Sequence, residues 1–134
     1  MSAKAADRYK QVQASTSTPG ELLLALYDGL FRFLNGAKAC FENQQALRGR
    51  ELIAKAHAIL SELVLALDHA AAPELCGNLA ALYDFALSRL SLANRDAQAK
   101  PIEDALRALT PLREAWALAV PKAMAEANAK KKGE

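Results

Sequence analysis

The side chains that could perform chemistry in this chain are few and badly spaced for it. Two histidines, His57 and His69, and two cysteines, Cys40 and Cys76, are its soft metal ligands. They build no HExxH pair, and neither histidine follows a glutamate at the Glu-x-x-His spacing of a di-iron bundle site. Neither cysteine belongs to a CxxC pair, so no structural zinc site is expected. Ser61, Asp68 and His69 are the residue types of a hydrolytic triad, but helical neighbours at these offsets do not converge. There is no GxGxxG and no phosphate-binding loop. A small helical enzyme working through Arg and Glu alone, such as a pericyclic mutase, would need several inward-facing charges, and the apolar stripes contain none. No catalytic residue, metal or cofactor is expected.

What the chain has in surplus is apolar surface. The stretch "STSTPGELLLALYDG" passes from small polar residues into an unbroken run, Leu22, Leu23, Leu24, Ala25, Leu26 and Tyr27. An amphipathic helix needs about half of such a run for its core face. Among 134 residues, 52% are hydrophobic, 24% charged and only 6% aromatic. That is one domain by length, with an aliphatic core and too many apolar residues for disorder. Thirty alanines against three each of valine, isoleucine and threonine favour helix over strand. The net charge of +2 is too weak to imply nucleic acid. The cluster Lys130-Lys131-Lys132 reads as a solvated end. With no apolar signal segment and no run near the ~18 residues of a membrane span, the expectation is a cytoplasmic protein with reduced thiols and no membrane insertion.

The elements that must position this surface are helices, and proline marks the start of three. Thr18-Pro19-Gly20-Glu21 is a capping box, predicting a helix from Pro19 to about Phe41. A second is expected over about Ala46 to His69, after the polar break at Glu42 to Gln45. Pro73-Glu74 opens a third, to about Ala97, and Lys100-Pro101-Ile102-Glu103 a fourth. Pro111 should kink the fourth helix, or break it with Thr110 recapping, and fraying is expected after Pro121. Its apolar spacing nevertheless persists through Ile102, Leu106, Leu109, Leu112, Trp116 and Val120. Short connections make neighbours antiparallel, so the predicted fold is all-α: an antiparallel up-down four-helix bundle. Three segments follow: a flexible arm (1–18), the bundle (19–122) and a frayed basic tail (123–134). The arm offers only Tyr9 and Val12 as apolar anchors.

Helical phase separates core from surplus. On the first helix, Asp28, Arg32, Asn35, Lys38 and Glu42 form a polar stripe, into which Leu24 and Phe31 also fall, pointing away from the core. Leu65 lies near the stripe of Glu51, Lys55 and Glu62. On the third helix the core face reads Leu75, Leu79, Leu82, Ala86, Leu90 and Ala93, while Phe85 and Leu92 share a flank. Any one of Leu24, Phe31, Leu65, Phe85 and Leu92 has a bland explanation as a scattered surface hydrophobe. Together they suggest an apolar surface that receives partner helices. Gly29 and Gly36 share a flank of the first helix, where a close backbone approach and a chance surface glycine are both open.

A set of collinear motifs adds an independent line. It comprises Tyr9-Lys10-Gln11-Val12-Gln13, Ser17-Thr18-Pro19-Gly20-Glu21-Leu22, Leu26-Tyr27-Asp28-Gly29, Arg32-Phe33-Leu34, Leu79, Leu82-Tyr83-Asp84, Leu90 with Ala93-Asn94, and Leu112-Arg113-Glu114-Ala115-Trp116. In these residues the chain resembles the flagellar secretion chaperones, the FliS family. The resemblance implies a four-helix bundle that binds the C-terminal region of flagellin in the cytoplasm. Such a chaperone prevents premature polymerisation and delivers the loaded complex to the export gate of the flagellar type III apparatus. It also implies that Tyr9 and Val12 cap a hydrophobic pocket, and that the segments Leu26-Tyr27-Asp28 and Leu82-Tyr83-Asp84 are functional. Tyr27 and Tyr83 have an alternative role as core anchors. Pro111 departs from the family pattern. A regulatory four-helix adaptor for a folded signalling protein is the competing class, and the chain is expected to be a monomer or a weak dimer.

Overall fold

The structure is a computed structural model and describes residues 18–132. Tyr9 and Val12 lie outside the described residues. Four helices follow one another: α1 (Pro19–Glu42), α2 (Ala46–Leu65), α3 (Pro73–Asp96) and α4 (Lys100–Lys132). No strand occurs among the described residues, and the expected all-α, four-helix architecture is what forms.

Local signals explain the boundaries. Thr18 Oγ1 accepts the Glu21 N–H at 3.0 Å, so α1 starts at its capping threonine with Pro19 in the first turn. The far end of α1 closes as a Schellman motif. The Gln45 N–H donates to the Cys40 carbonyl at 2.8 Å and the Gln44 N–H to that of Phe41, with Gln44 at φ 62°. At the end of α2 the expectation fails: the helix stops at Leu65, not His69. Asp68 accounts for this, since its carboxylate accepts the Ala71 N–H at 3.2 Å and its carbonyl accepts those of Ala71 and Ala72. A short acidic side chain that bonds the backbone ahead of it offers the chain a turn in place of a helix. Pro73 then opens α3, which ends at Ala97 in the left-handed conformation.

The fourth helix also corrects an expectation. It does not break at Thr110, and it runs through Pro111 and Pro121 to Lys132, beyond the residue where fraying was expected. Each proline frees the carbonyl four residues earlier, on Arg107 and Ala117. All four of these residues are exposed, so water reaches the freed groups.

The described residues divide into two packed units, one made of Gly29–Leu109 and the other of 18–28 with 110–132. In the first, segments of all four helices form a bundle. Arg50 Nε on α2 donates to the Asn94 carbonyl of α3 at 2.9 Å, and Lys38 of α1 lies 3.7 Å from Glu103 of α4. At Gly36 a methyl would lie 3.1 Å from Leu52 Cδ1 and at Gly29 3.4 Å from Ile59 Cδ1, so side chains of α2, not a neighbouring backbone, approach these glycines. Its core is aliphatic: Leu30, Leu34, Ala37, Leu60, Ala86, Leu90, Ala93, Ile102, Ala105 and Leu109 are inaccessible to solvent. On α3 the buried seam is Cys76, Leu79, Tyr83, Ala86, Leu90 and Ala93, in alternating steps of three and four. Leu75, placed on the core face by phase, is instead exposed, and Leu82 is half-buried.

In the second unit α1 and α4 run antiparallel. Gly20 meets Val120, where an added methyl would come within 2.7 Å of Cγ1, and Asp28 pairs with Arg113 at 2.7 Å. Among its described residues only Tyr27 and Val120 are buried.

Candidate partner-binding surface

Among the described residues no three His, Cys, Asp or Glu side chains converge on a metal-sized site. Cys40 is half-buried, Cys76 is buried, and both are free thiols. His57 is exposed and faces Ser61 one turn on at 3.5 Å. Asp68, the acid of the triad considered above, is occupied in the turn before α3. No described helix is long and apolar enough to cross a membrane. Surface apolar residues are the remaining candidates.

In the unit Gly29–Leu109, Leu65 is 77% exposed at the end of α2 and Phe85 is 44% exposed on α3. Leu92, two turns beyond Phe85, is half-buried. Phe31 is a correction: it is only 6% exposed and belongs to the core. The physical reason is that α1 has neighbours on two sides here, α2 through Gly29 and Gly36 and α4 through Lys38. Its buried face is therefore wider than one stripe and takes in Phe31 beside Leu30 and Leu34. Leu47 and Leu75, which phase did not single out, are exposed. Strict three-and-four spacing from Cys76 would have found Leu75, one position behind the seam.

The other unit presents a different surface. Leu22, Leu23, Leu24, Ala25 and Leu26 are all half-buried, and none is either fully exposed or fully covered. Leu24 thus stands partly exposed, and Leu118 on α4, also unexpected, is exposed. The two Leu-Tyr-Asp segments share one pattern: Leu26 and Leu82 half-buried, Tyr27 and Tyr83 buried, Asp28 and Asp84 exposed. Burial of both rings supports their role as core anchors.

The Arg89 guanidinium lies over the Phe85 ring, 5.4 Å from its centroid. Lys100 bonds Asp104 at 2.6 Å, and that hydrogen bond, followed by the charges of Lys100, Arg107 and Arg89, holds the Asp104 carboxyl below its usual range. Lys100, Arg107 and Arg89 thus all act on the one Asp104 carboxylate.

Comparison with known proteins converges on one family. The profile described as "Flagellar protein FliS" matches residues 1–123. The flagellar secretion chaperone FliS of Bacillus subtilis (strain 168) is 34% identical over 112 residues, covering 84% of this chain and 83% of the relative. The protein of that name from Salmonella typhimurium (strain LT2) is 32% identical over 120 residues, covering 86% and 89%. From Campylobacter jejuni (strain 81116), the protein of the same name is 32% identical over 108 residues, covering 81% and 84%. With agreement running along most of its length, this chain belongs to the FliS family.

Proposed function

We propose that this chain is a cytoplasmic export chaperone for flagellin. It holds the C-terminal region of flagellin, prevents premature polymerisation, and delivers the loaded complex to the flagellar type III export gate. Membership of a family whose relatives are named flagellar secretion chaperones supports the general role. The observation that carries the binding mode is apolar surface outside the core: Leu65, Phe85 and Leu92 in one unit, and the half-buried run Leu22 to Leu26 in the other. An amphipathic segment laid on such residues gains roughly 1.5–3 kcal/mol for each large anchor it fully buries. A handful of these offsets the ordering of a segment that is unstructured alone. Tyr9 and Val12 cap the apolar surface when no partner is bound, and the chaperone works without ATP or any cofactor.

Calorimetric titration of the full chain with the C-terminal segment of its own genome's flagellin, followed also by circular dichroism, tests this. Tight one-to-one binding with a gain of helix and a large negative heat-capacity change is expected. A folded chain that binds no such segment would sink the proposal and favour an adaptor for a folded partner.

A further inference from the structure

Two helices pass from one packed unit to the other, and each carries a poor helix residue where it does so. The boundary falls at Asp28–Gly29 in α1 and at Leu109–Thr110 in α4, and neither helix is interrupted there. Gly29 stands immediately past it, and Pro111 two residues past it. Glycine and proline are the two least favourable residues in a helix interior. Glycine leaves the backbone free to turn, and a missing proline rung is where helices bend.

Packing accounts for three of the five described glycines. A methyl would press on Val120 at Gly20, on Leu52 at Gly36 and on the Phe41 ring at Gly49. At Gly29 it would lie 3.4 Å from Ile59 Cδ1, an ordinary contact, so alanine fits. Nothing lies within 4 Å of a methyl at Gly77, but that residue is in α3, which does not cross the boundary. Gly29 alone joins a site with room for alanine to a position at the crossing.

The helix segments of 18–28 and 110–132 are tied to each other at both ends. Arg113 Nη2 donates to Asp28 Oδ1 at 2.7 Å at one end. At the other, Gly20 meets Val120 and Thr18 Oγ1 lies 4.0 Å from Met124 Sδ. Gly29 is one residue from Asp28, about 1.5 Å along its helix, and Pro111 two residues from Arg113, about 3 Å along its own. Both weak points thus lie within a turn of the same ion pair.

We infer that Gly29 and Pro111 form a two-point hinge, about which the helical pair 18–28 and 110–132 swings as one body against Gly29–Leu109. Asp28 and Arg113 keep its two helices together beside the pivot. The half-buried run Leu22 to Leu26 rides on this body. A partner that covers the run prefers one setting of the hinge and shifts the population toward it.

The test is a distance distribution between nitroxide labels on the full chain carrying Cys40→Ala and Cys76→Ser. The pair Ala54→Cys with Ala119→Cys spans the hinge, and Ala54→Cys with Ala81→Cys lies within Gly29–Leu109; all three positions are exposed. The spanning distribution should be the broader. Gly29→Ala and Pro111→Ala should each narrow it, and together bring it to the width of the reference pair. Gly77→Ala, an equal gain in helix propensity away from the crossing, should leave it unchanged. A wild-type spanning pair as narrow as the reference overturns the hinge, and so does equal narrowing by Gly77→Ala. Hydrogen exchange needs no label: Gly29→Ala should slow the amides of residues 29–33 and Gly77→Ala should not, and unchanged rates in Gly29→Ala count against the hinge. None of these readouts needs a partner, so their failure leaves the flagellin proposal standing. Saturating flagellin C-terminal segment should also narrow the wild-type spanning pair. That arm alone rests on the flagellin proposal, and a segment that binds without narrowing the distribution overturns the coupling to the partner.

Discussion

The two units of this chain use the same kind of helix to opposite ends. In Gly29–Leu109, segments of four helices surround residues such as Leu34, Leu60 and Leu90 that solvent does not touch. In the other unit, the described parts of α1 and α4 bury only Tyr27 and Val120, although the stretch Leu22 to Leu26 is the densest apolar run in the sequence. The α4 pattern crosses from one to the other unchanged. Ile102, Ala105 and Leu109 are buried, while Leu112 and Trp116, which continue the same spacing, are only half-buried. Burial is therefore a property of how many neighbours a helix has, and periodicity alone does not report that number.

The sharpest way to break this contrast is to place a charge in each unit. Phe31→Asp puts a carboxylate in the four-helix core and leaves a cavity, so a loss of at least about 3–5 kcal/mol is expected. That is most of the stability of an ordinary domain, and thermal unfolding should show little folded protein. Leu24→Asp, on the half-buried run, should cost about 1 kcal/mol or less by the same assay. Comparable losses would show that the described parts of α1 and α4 in that unit are packed as tightly as the core.

A smaller effect is expected at Gly49, whose Cα hydrogen faces the ring of Phe41. Gly49→Ala overpacks that contact at about 1–3 kcal/mol, against about 1 kcal/mol recovered from helix propensity. A net fall in the urea midpoint would confirm close packing where α1 turns into α2. Smaller still, and opposite in sign, is Gln44→Gly. It relieves a left-handed residue at the Schellman position and should raise stability by about 0.5–1 kcal/mol. Last comes Asp28→Asn, which removes the exposed pair with Arg113. A change of about 0.2–1 kcal/mol that vanishes at high salt is expected in thermal melts.

Helix existence and most boundaries were legible because the signals that set them are local. Thr18 caps α1, Pro73 opens α3, and Glu42 to Gln45 interrupt the pattern between α1 and α2. The end of α2 was not legible, because Asp68 acts through a side-chain bond that composition does not reveal. Phase succeeded for Leu65 and Phe85 and failed for Phe31 and Leu75. The Leu75 failure is a small angular error at the edge of a face. A straight helix drifts about 20° per heptad against a repeat of seven, enough to exchange a flank for a seam. The width of the α1 face depended on two neighbours that no local pattern encodes.

Pro111 and Pro121 give α4 a property unlike that of any other helix here. Two rungs are missing from its hydrogen-bond ladder, and one lies within two residues of the boundary at Leu109. Cooperativity in a helix is carried by consecutive rungs. A missing rung therefore acts as a firebreak: unwinding that begins at Lys132 meets one at Pro121 and another at Pro111. Ile102, Ala105 and Leu109 lie behind both, insulated from whatever loosens the end of the chain.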